Sequence, residues 1–234
     1  MSDSARAWLA EILGTFTLVF IGGLAILAGG GGGAALADGR GGAAGLVVLS
    51  FGFGLALLGG LYAFGEVSGG HFNPAVSLAA LIDKRIDLGT FMTYVVAQSG
   101  GAVLAGVAIM AASSRAAVAS TATTPGATTS TSGAFFLEVI LTAIFIGVIL
   151  KVTQSKEFGT TAFLAISFTL VAIHLSAANM SGASVNPARS LASALVGGVW
   201  TDFWVYVTAP FIGAAIGWLL YKAITTEVGE KELA

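Results

Sequence analysis

Ser68-Gly-Gly-His-Phe-Asn-Pro-Ala-Val-Ser-Leu78 and Ser181-Gly-Ala-Ser-Val-Asn-Pro-Ala-Arg-Ser-Leu191 are one stretch written twice. Laid on each other without a gap, they agree at seven of eleven positions and stand 113 residues apart in a chain of 234. That interval is close to half the chain, so the sequence reads as two copies of one unit. A second echo agrees: Glu11 precedes Thr15 by four residues, and Glu138 precedes Thr142 by four.

Each Asn-Pro-Ala is followed by a short apolar segment, Val76 to Ile82 and Leu191 to Val196. Neither reaches the roughly 20 residues that cross a bilayer as a helix. Asn is a favoured N-cap, and Pro at the first helical position gives up no needed hydrogen bond. Each motif therefore predicts a half-helix, entered through an extended Ser-Gly segment. A single Asn-Pro-Ala is a common turn. Two copies in matching contexts are harder to explain that way.

The surroundings supply the solvent. Hydrophobic residues make up 56% of the chain and charged residues 9%, against about 25% charged in soluble domains. Six apolar stretches suit spanning helices: Trp8 to Ala28, about Ala43 to Phe64, Leu88 to Ala112, Ala134 to Leu150, Thr160 to Ala178 and about Trp200 to Tyr221. The first is longer than a signal-peptide core and lacks a convincing cleavage site, so it reads as a retained span. With the N-terminus inside, the inner side holds Arg6, Lys84, Arg85, Lys151, Lys156, Lys222 and Lys231, and the outer side Arg40 and Arg115. That asymmetry predicts cytoplasmic termini. Gly29 to Gly42 and Ser113 to Gly133 read as external connections. Trp8, Trp200, Trp204, Trp218 and Tyr221 lie near span ends, where aromatic rings favour the interface.

Three spans per half is an odd number, so the second half enters the membrane from the opposite side. The expected fold is all-α and integral to the membrane: six transmembrane helices plus two re-entrant half-helices. It forms one domain over residues 1–234, in inverted repeats of about 5–112 and 134–226. Inverted repeats place their site near the midplane. Asn73 and Asn186 would meet there at facing helix N-termini, each carrying about half a positive charge. A cation or proton at that point is raised in energy, and the Asn amides offer donors to a passing oxygen.

The pair Asn73-Pro74-Ala75 and Asn186-Pro187-Ala188-Arg189 resembles the double signature of the aquaporin family, and the likeness runs from Glu11 to the sixth span. The resemblance implies a homotetramer with one pore per subunit. It implies an outer constriction at Phe53, His174, Ala183 and Arg189. It implies ladders of pore-facing carbonyls at Gly69, Gly70, His71 and Phe72, and at Gly182, Ala183, Ser184 and Val185. It gives Glu11 and Glu138 the role of bracing the half-helix loops; the plainer reading of each is a polar contact between helices. Phe, His and Arg together resemble the water-selective members, as do Ser190 and Ala194. Ala183 is smaller than the usual Cys or Thr. Glu66 stands where many water channels have His, and Tyr206-Val207 where they usually have Phe-Trp.

An intramembrane arginine is costly and a functional candidate by default. The sequence therefore predicts a passive water channel excluding protons and ions, in the plasma or inner membrane. Its partners are lipid and permeating water, with no nucleic acid at a net charge of -2. No cofactor, metal or catalysis is expected, since no ligand cluster or nucleophile–base spacing occurs and there is no cysteine. A mixed channel passing glycerol or other small neutral solutes is the alternative within this class. A secondary transporter is the alternative outside it, weakened by the scarcity of ionisable residues in the spans.

Overall fold

The computed structural model describes residues 1–31, 42–154 and 161–231. In chain order the helices are α1 (Asp3–Ala28), α2 (Gly42–Ser68), α3 (Pro74–Ile82), α4 (Leu88–Ala112), α5 (Arg115–Ser120), α6 (Thr131–Val152), α7 (Thr161–Ala177), α8 (Pro187–Ala192) and α9 (Phe203–Lys231). A π-helical turn, Ser193–Gly197, extends α8. Helices α1, α2, α4, α6 and the Phe203–Thr225 part of α9 are long and apolar enough to cross a membrane. Helix α7, at 17 residues, sits at the lower limit for a span. Its expected first residue, Thr160, lies outside the described residues. So do Arg40, Lys156 and residues 32–41 of the glycine-rich connection.

These helices are apolar on all sides. Val47, Leu55, Val96, Ile144, Phe168 and Leu219 are exposed, which suits a surface solvated by acyl chains rather than water. Helix α1 packs against α2 and α4, α6 against α7 and α9, and α2 against α7 across the two repeats. Small residues permit the closest crossings. A Cβ at Gly101 of α4 would stand 2.3 Å from the Ile12 carbonyl oxygen, and one at Gly213 of α9 2.5 Å from that of Val139. Positions 101 and 213 correspond in the two repeats, so one crossing is built twice.

Both half-helices start as the local chemistry requires. Asn73 Oδ1 accepts from the Ala75 N–H at 2.9 Å, and Asn186 Oδ1 from those of Ala188 and Arg189 at 3.0 and 3.3 Å. Pro74 and Pro187 occupy the first turns. Each half-helix rests mainly on the third span of the other repeat, α3 on α9 and α8 on α4.

Two expectations need correction. The segments before the Asn-Pro-Ala motifs are not extended. Gly69, Gly70 and Phe72 have φ of 94°, 66° and 49°, and Gly182, Ala183 and Val185 have 86°, 45° and 45°. The Ser113 to Gly133 stretch is more than a connection. It holds α5, capped by Ser114 Oγ on the Ala117 N–H at 3.1 Å, with Val118 buried. A Cβ at Gly197 would stand 2.8 Å from the Ala119 Cα, so α5 is seated directly on the π-helical turn.

Candidate functional site

The left-handed φ values have a cause. A positive φ is unfavourable for Phe72 and for β-branched Val185, and such strain persists only where surroundings over-determine it. Here two buried carboxylates do so. Glu11 takes the His71 and Phe72 N–H groups at 2.9 and 2.7 Å, and the Ser68 hydroxyl at 2.7 Å. Glu138 takes the Ser184 and Val185 N–H groups and the Ser181 hydroxyl, each at 2.8 Å. Neither carboxylate has any solvent exposure. Charge-assisted bonds of this length are the strong kind. They occupy the N–H groups of His71, Phe72, Ser184 and Val185.

The loops are then tied to each other. Asn73 Nδ2 donates to the Val185 carbonyl at 2.7 Å, and Asn186 Nδ2 donates to the Phe72 carbonyl at 2.9 Å. One N–H of each amide is thereby used, so each Asn retains a single free donor rather than two. Helices α3 and α8 are locked start to start.

A cavity of about 440 Å³ runs past this junction. At one end it is lined by Arg85, Ile86, Leu150 and Thr153, and at the other by Phe53, His174 and Arg189. Between lie Gly69, Gly70, His71, Asn73, Ser184, Val185 and Asn186, opposite apolar Leu57, Val76, Ile149 and Leu170. Phe72, Gly182 and Ala183 are not on its wall, and Ala183 is fully buried. Glu66 is exposed at the end of α2, also off the cavity wall. Arg85 contributes the charge at that mouth.

At the far end Phe53 and His174 stack with ring centroids 4.5 Å apart, and the Arg189 guanidinium carbon lies 5.2 Å from the Phe53 centroid. His174 Nδ1 bonds the Leu170 carbonyl at 2.9 Å. A carbonyl only accepts, so Nδ1 carries the proton, and in the neutral ring Nε2 is an acceptor. Among the described residues, His174 Nε2 and Arg189 Nη1 have no hydrogen-bond partner. This end of the cavity thus offers one acceptor and at least one donor, the complement of a water molecule.

The mouth lined by Arg85 is held by a clamp. Asp83 accepts from Arg85 Nε at 2.8 Å, Lys222 Nζ at 2.8 Å and Trp218 Nε1 at 3.0 Å. Arg85 Nη1 donates to Thr153 Oγ1 at 2.6 Å and Nη2 to the Leu150 carbonyl at 3.1 Å. The loop after α3 thereby joins the end of α6 to α9. Burial pushes the Asp83 carboxyl up, but the bonds from Lys222, Arg85 and Trp218 outweigh it and hold it below the usual carboxylate range.

A family model described as "Major intrinsic protein" matches residues 1–221. The chain belongs to the major intrinsic protein family. This family is one of membrane channels, and the chain is a multi-pass membrane protein. Among its relatives is "Glycerol uptake facilitator protein-like 6" of Lactiplantibacillus plantarum, 37% identical over 95% of this chain and 99% of the relative. "Aquaporin Z" of Rhodopseudomonas palustris is 34% identical, covering 96% and 95%. The solved aquaglyceroporin of Plasmodium falciparum superposes with a TM-score of 0.83 at 26% identity, over 99% of this chain and all of that one.

Within this major intrinsic protein, several contacts had escaped the sequence. Tyr94 Oη donates to the Ser68 carbonyl and Tyr206 Oη to the Ser181 carbonyl, both at 2.7 Å. Tyr94-Val-Val-Ala97 and Tyr206-Val-Thr-Ala209, each followed by the crossing Gly101 or Gly213, form a third echo that was there to be read. Gln98 donates to Glu11 at 2.7 Å and to the Ser77 hydroxyl at 2.8 Å. It has no counterpart in the second repeat, so no echo marks it.

Proposed function

We propose that this chain conducts water passively across the cell membrane while excluding ions and protons. It acts as a homotetramer with one pore per subunit, in the plasma or inner membrane, with both termini in the cytoplasm. The observation that carries this reading is the double tie of Asn73 to Val185 and Asn186 to Phe72. It aims two helix N-termini at one short stretch of cavity, where their partial positive charges oppose any cation. The free amide donors of Asn73 and Asn186 engage a water oxygen there, so that water cannot accept a proton from its neighbour. Loop carbonyls such as those of Gly69, Gly70, His71, Ser184 and Val185 form the polar wall of the file. Phe53, His174 and Arg189 form the filter, with Arg189 as a fixed positive charge.

Stopped-flow light scattering of proteoliposomes tests this. Shrinkage far above that of empty vesicles is expected, with no added proton permeability from an internal pH dye. Arg189→Val should raise the dye signal while keeping the water flux. Proton conductance in wild type above control liposomes would sink the electrostatic account.

A mixed water and glycerol channel is the second reading, favoured by the relative named as a glycerol uptake facilitator. Glycerol uptake run beside the osmotic assay separates the two. Uptake comparable to the water flux would replace the water-selective reading.

A further inference from the structure

The two repeats hold their half-helices by different third parties. In the first, the Ser77 hydroxyl receives a bond from Gln98 of the spanning helix α4 and meets His71 Nδ1 at 3.0 Å. The corresponding residues of the second repeat are Ser190 and Ser184, whose hydroxyls are 2.6 Å apart. The position matching Gln98 is Pro210, inside α9, which has no side-chain donor. The vacant role falls to Thr123, whose Oγ1 donates to Ser190 Oγ at 2.7 Å.

The direction of this chain of hydroxyls follows from counting protons. Ser184 Oγ donates its single proton to the Asn186 carbonyl at 2.9 Å. The bond between Ser184 and Ser190 must therefore be donated by Ser190, which in turn accepts from Thr123. Thr123, Ser190 and Ser184 thus run in one direction to Asn186, the residue that caps α8. All four are buried. The loop around Thr123 is closely seated. A Cβ at Gly182 would stand 3.2 Å from the Thr123 Cα, and the Gly126 N–H bonds the Met180 carbonyl at 2.7 Å. Thr121, on the same loop, lines a small cavity that Arg189 also borders.

We propose that Thr123 is the positioning residue for the outer half-helix and, through it, for Arg189. The 121–126 loop then determines solute selectivity, although it contributes no side chain to the main cavity wall. This rests on the water-channel reading above and names a further residue of the same filter. In the first repeat the third party is part of a rigid spanning helix. In the second it is a loop outside the helical frame, so the outer half-helix is the one that loop changes can retune.

The test compares Thr123→Val, Thr123→Ser and wild type in proteoliposomes, with water and glycerol permeability measured per reconstituted channel. Thr123→Val keeps the shape and deletes the donor. It should raise the glycerol-to-water ratio roughly two- to tenfold, as expected for one lost hydrogen bond acting on a barrier. Thr123→Ser restores the hydroxyl and should match wild type. An unchanged ratio in Thr123→Val, or a Thr123→Ser variant that behaves like it, overturns the proposal. A second arm survives any failure of Thr123→Val to insert. The chain has no cysteine, so Thr123→Cys and exposed Ser120→Cys each carry one thiol for a membrane-impermeant maleimide. Position 123 should label at least about tenfold more slowly, as a seated loop residue does. Equal rates would show the loop unseated and overturn the proposal by themselves. A wild type with no water flux would instead sink the channel reading, and the labelling rates would still judge the loop.

Discussion

The rings of Phe53 and His174 stack at 4.5 Å with planes 13° apart, fastening α2 to α7 at the end of the cavity that Arg189 also lines. Phe53 is also pressed against α1, where a Cβ at Gly22 would stand 2.3 Å from its ring. The aromatic pair fills the space that a carbon backbone would need, and His174 Nε2 supplies the polar point beside it.

His174→Gly should therefore admit glycerol, and Phe53→Ala with His174→Gly should admit more, with water flux largely kept. A buried polar group left without a partner costs about 1–3 kcal/mol, which spans roughly five- to hundredfold when it acts on a barrier. Glycerol uptake by the single and double variants measures the series. Uptake that does not rise from wild type to double variant would place selection elsewhere.

Mercurials should leave wild-type flux unchanged, because no thiolate is available to bind them. His174→Cys puts a thiol on the cavity wall and should create a block reversed by added thiol. Ala183→Cys should react far more slowly, since Ala183 is fully buried and off that wall. Rapid block in Ala183→Cys would show that its side chain faces the permeant after all.

Glu138→Ala removes the acceptor of two buried N–H groups and one hydroxyl. At about 1–3 kcal/mol for each unsatisfied group, the loss approaches the whole stability of an ordinary domain. Little folded protein should survive detergent extraction. Glu11→Ala should be at least as damaging, because it strands two N–H groups and one hydroxyl and also removes one of the two acceptors of the Gln98 amide. Size-exclusion profiles and melting curves report both.

The Asp83 clamp has a definite pH dependence. Its folded carboxyl is held below the ordinary carboxylate value, so its stabilisation is fully present above the unfolded pKa. That stabilisation is lost only as the pH falls through the lower, folded value. Melting temperature should owe nothing to Asp83 titration between about pH 5 and 8 and decline below about pH 4. Asp83→Asn should melt lower at neutral pH and lose much of the difference from wild type in acid. A wild-type decline centred near pH 6 would assign the transition to some other group.

Much of the architecture was legible because the membrane imposes it. Apolar stretches of span length satisfy their backbone groups as helices where water is absent, and Asn-Pro at the head of a short apolar segment favours a helix start. The paired motifs, three spans apart, then bring the half-helices in from opposite sides. Phe53, His174 and Arg189 were separate positions in three elements, and resemblance suggested their meeting before the fold displayed it on one cavity wall.

Asp83 and Arg85 illustrate what stayed hidden. As sequence they were part of a charged inner loop; their partners Lys222, Trp218 and Thr153 lie on α9 and at the end of α6, far along the chain. Thr123 was hidden in a stretch whose Ser, Thr and Ala composition read as a connection.

The sequence by itself determined the spans, the half-helix starts and their inverted pairing, since these follow from local hydropathy, capping chemistry and an internal repeat. Only the tertiary structure decided the left-handed turn of the motif loops, the cross-repeat bonds of Asn73 and Asn186, and which hydroxyl replaces Gln98 in the second half. Those depend on buried polar groups finding partners across distant segments, and the partner is whichever donor or acceptor the packed helices bring within about 3 Å.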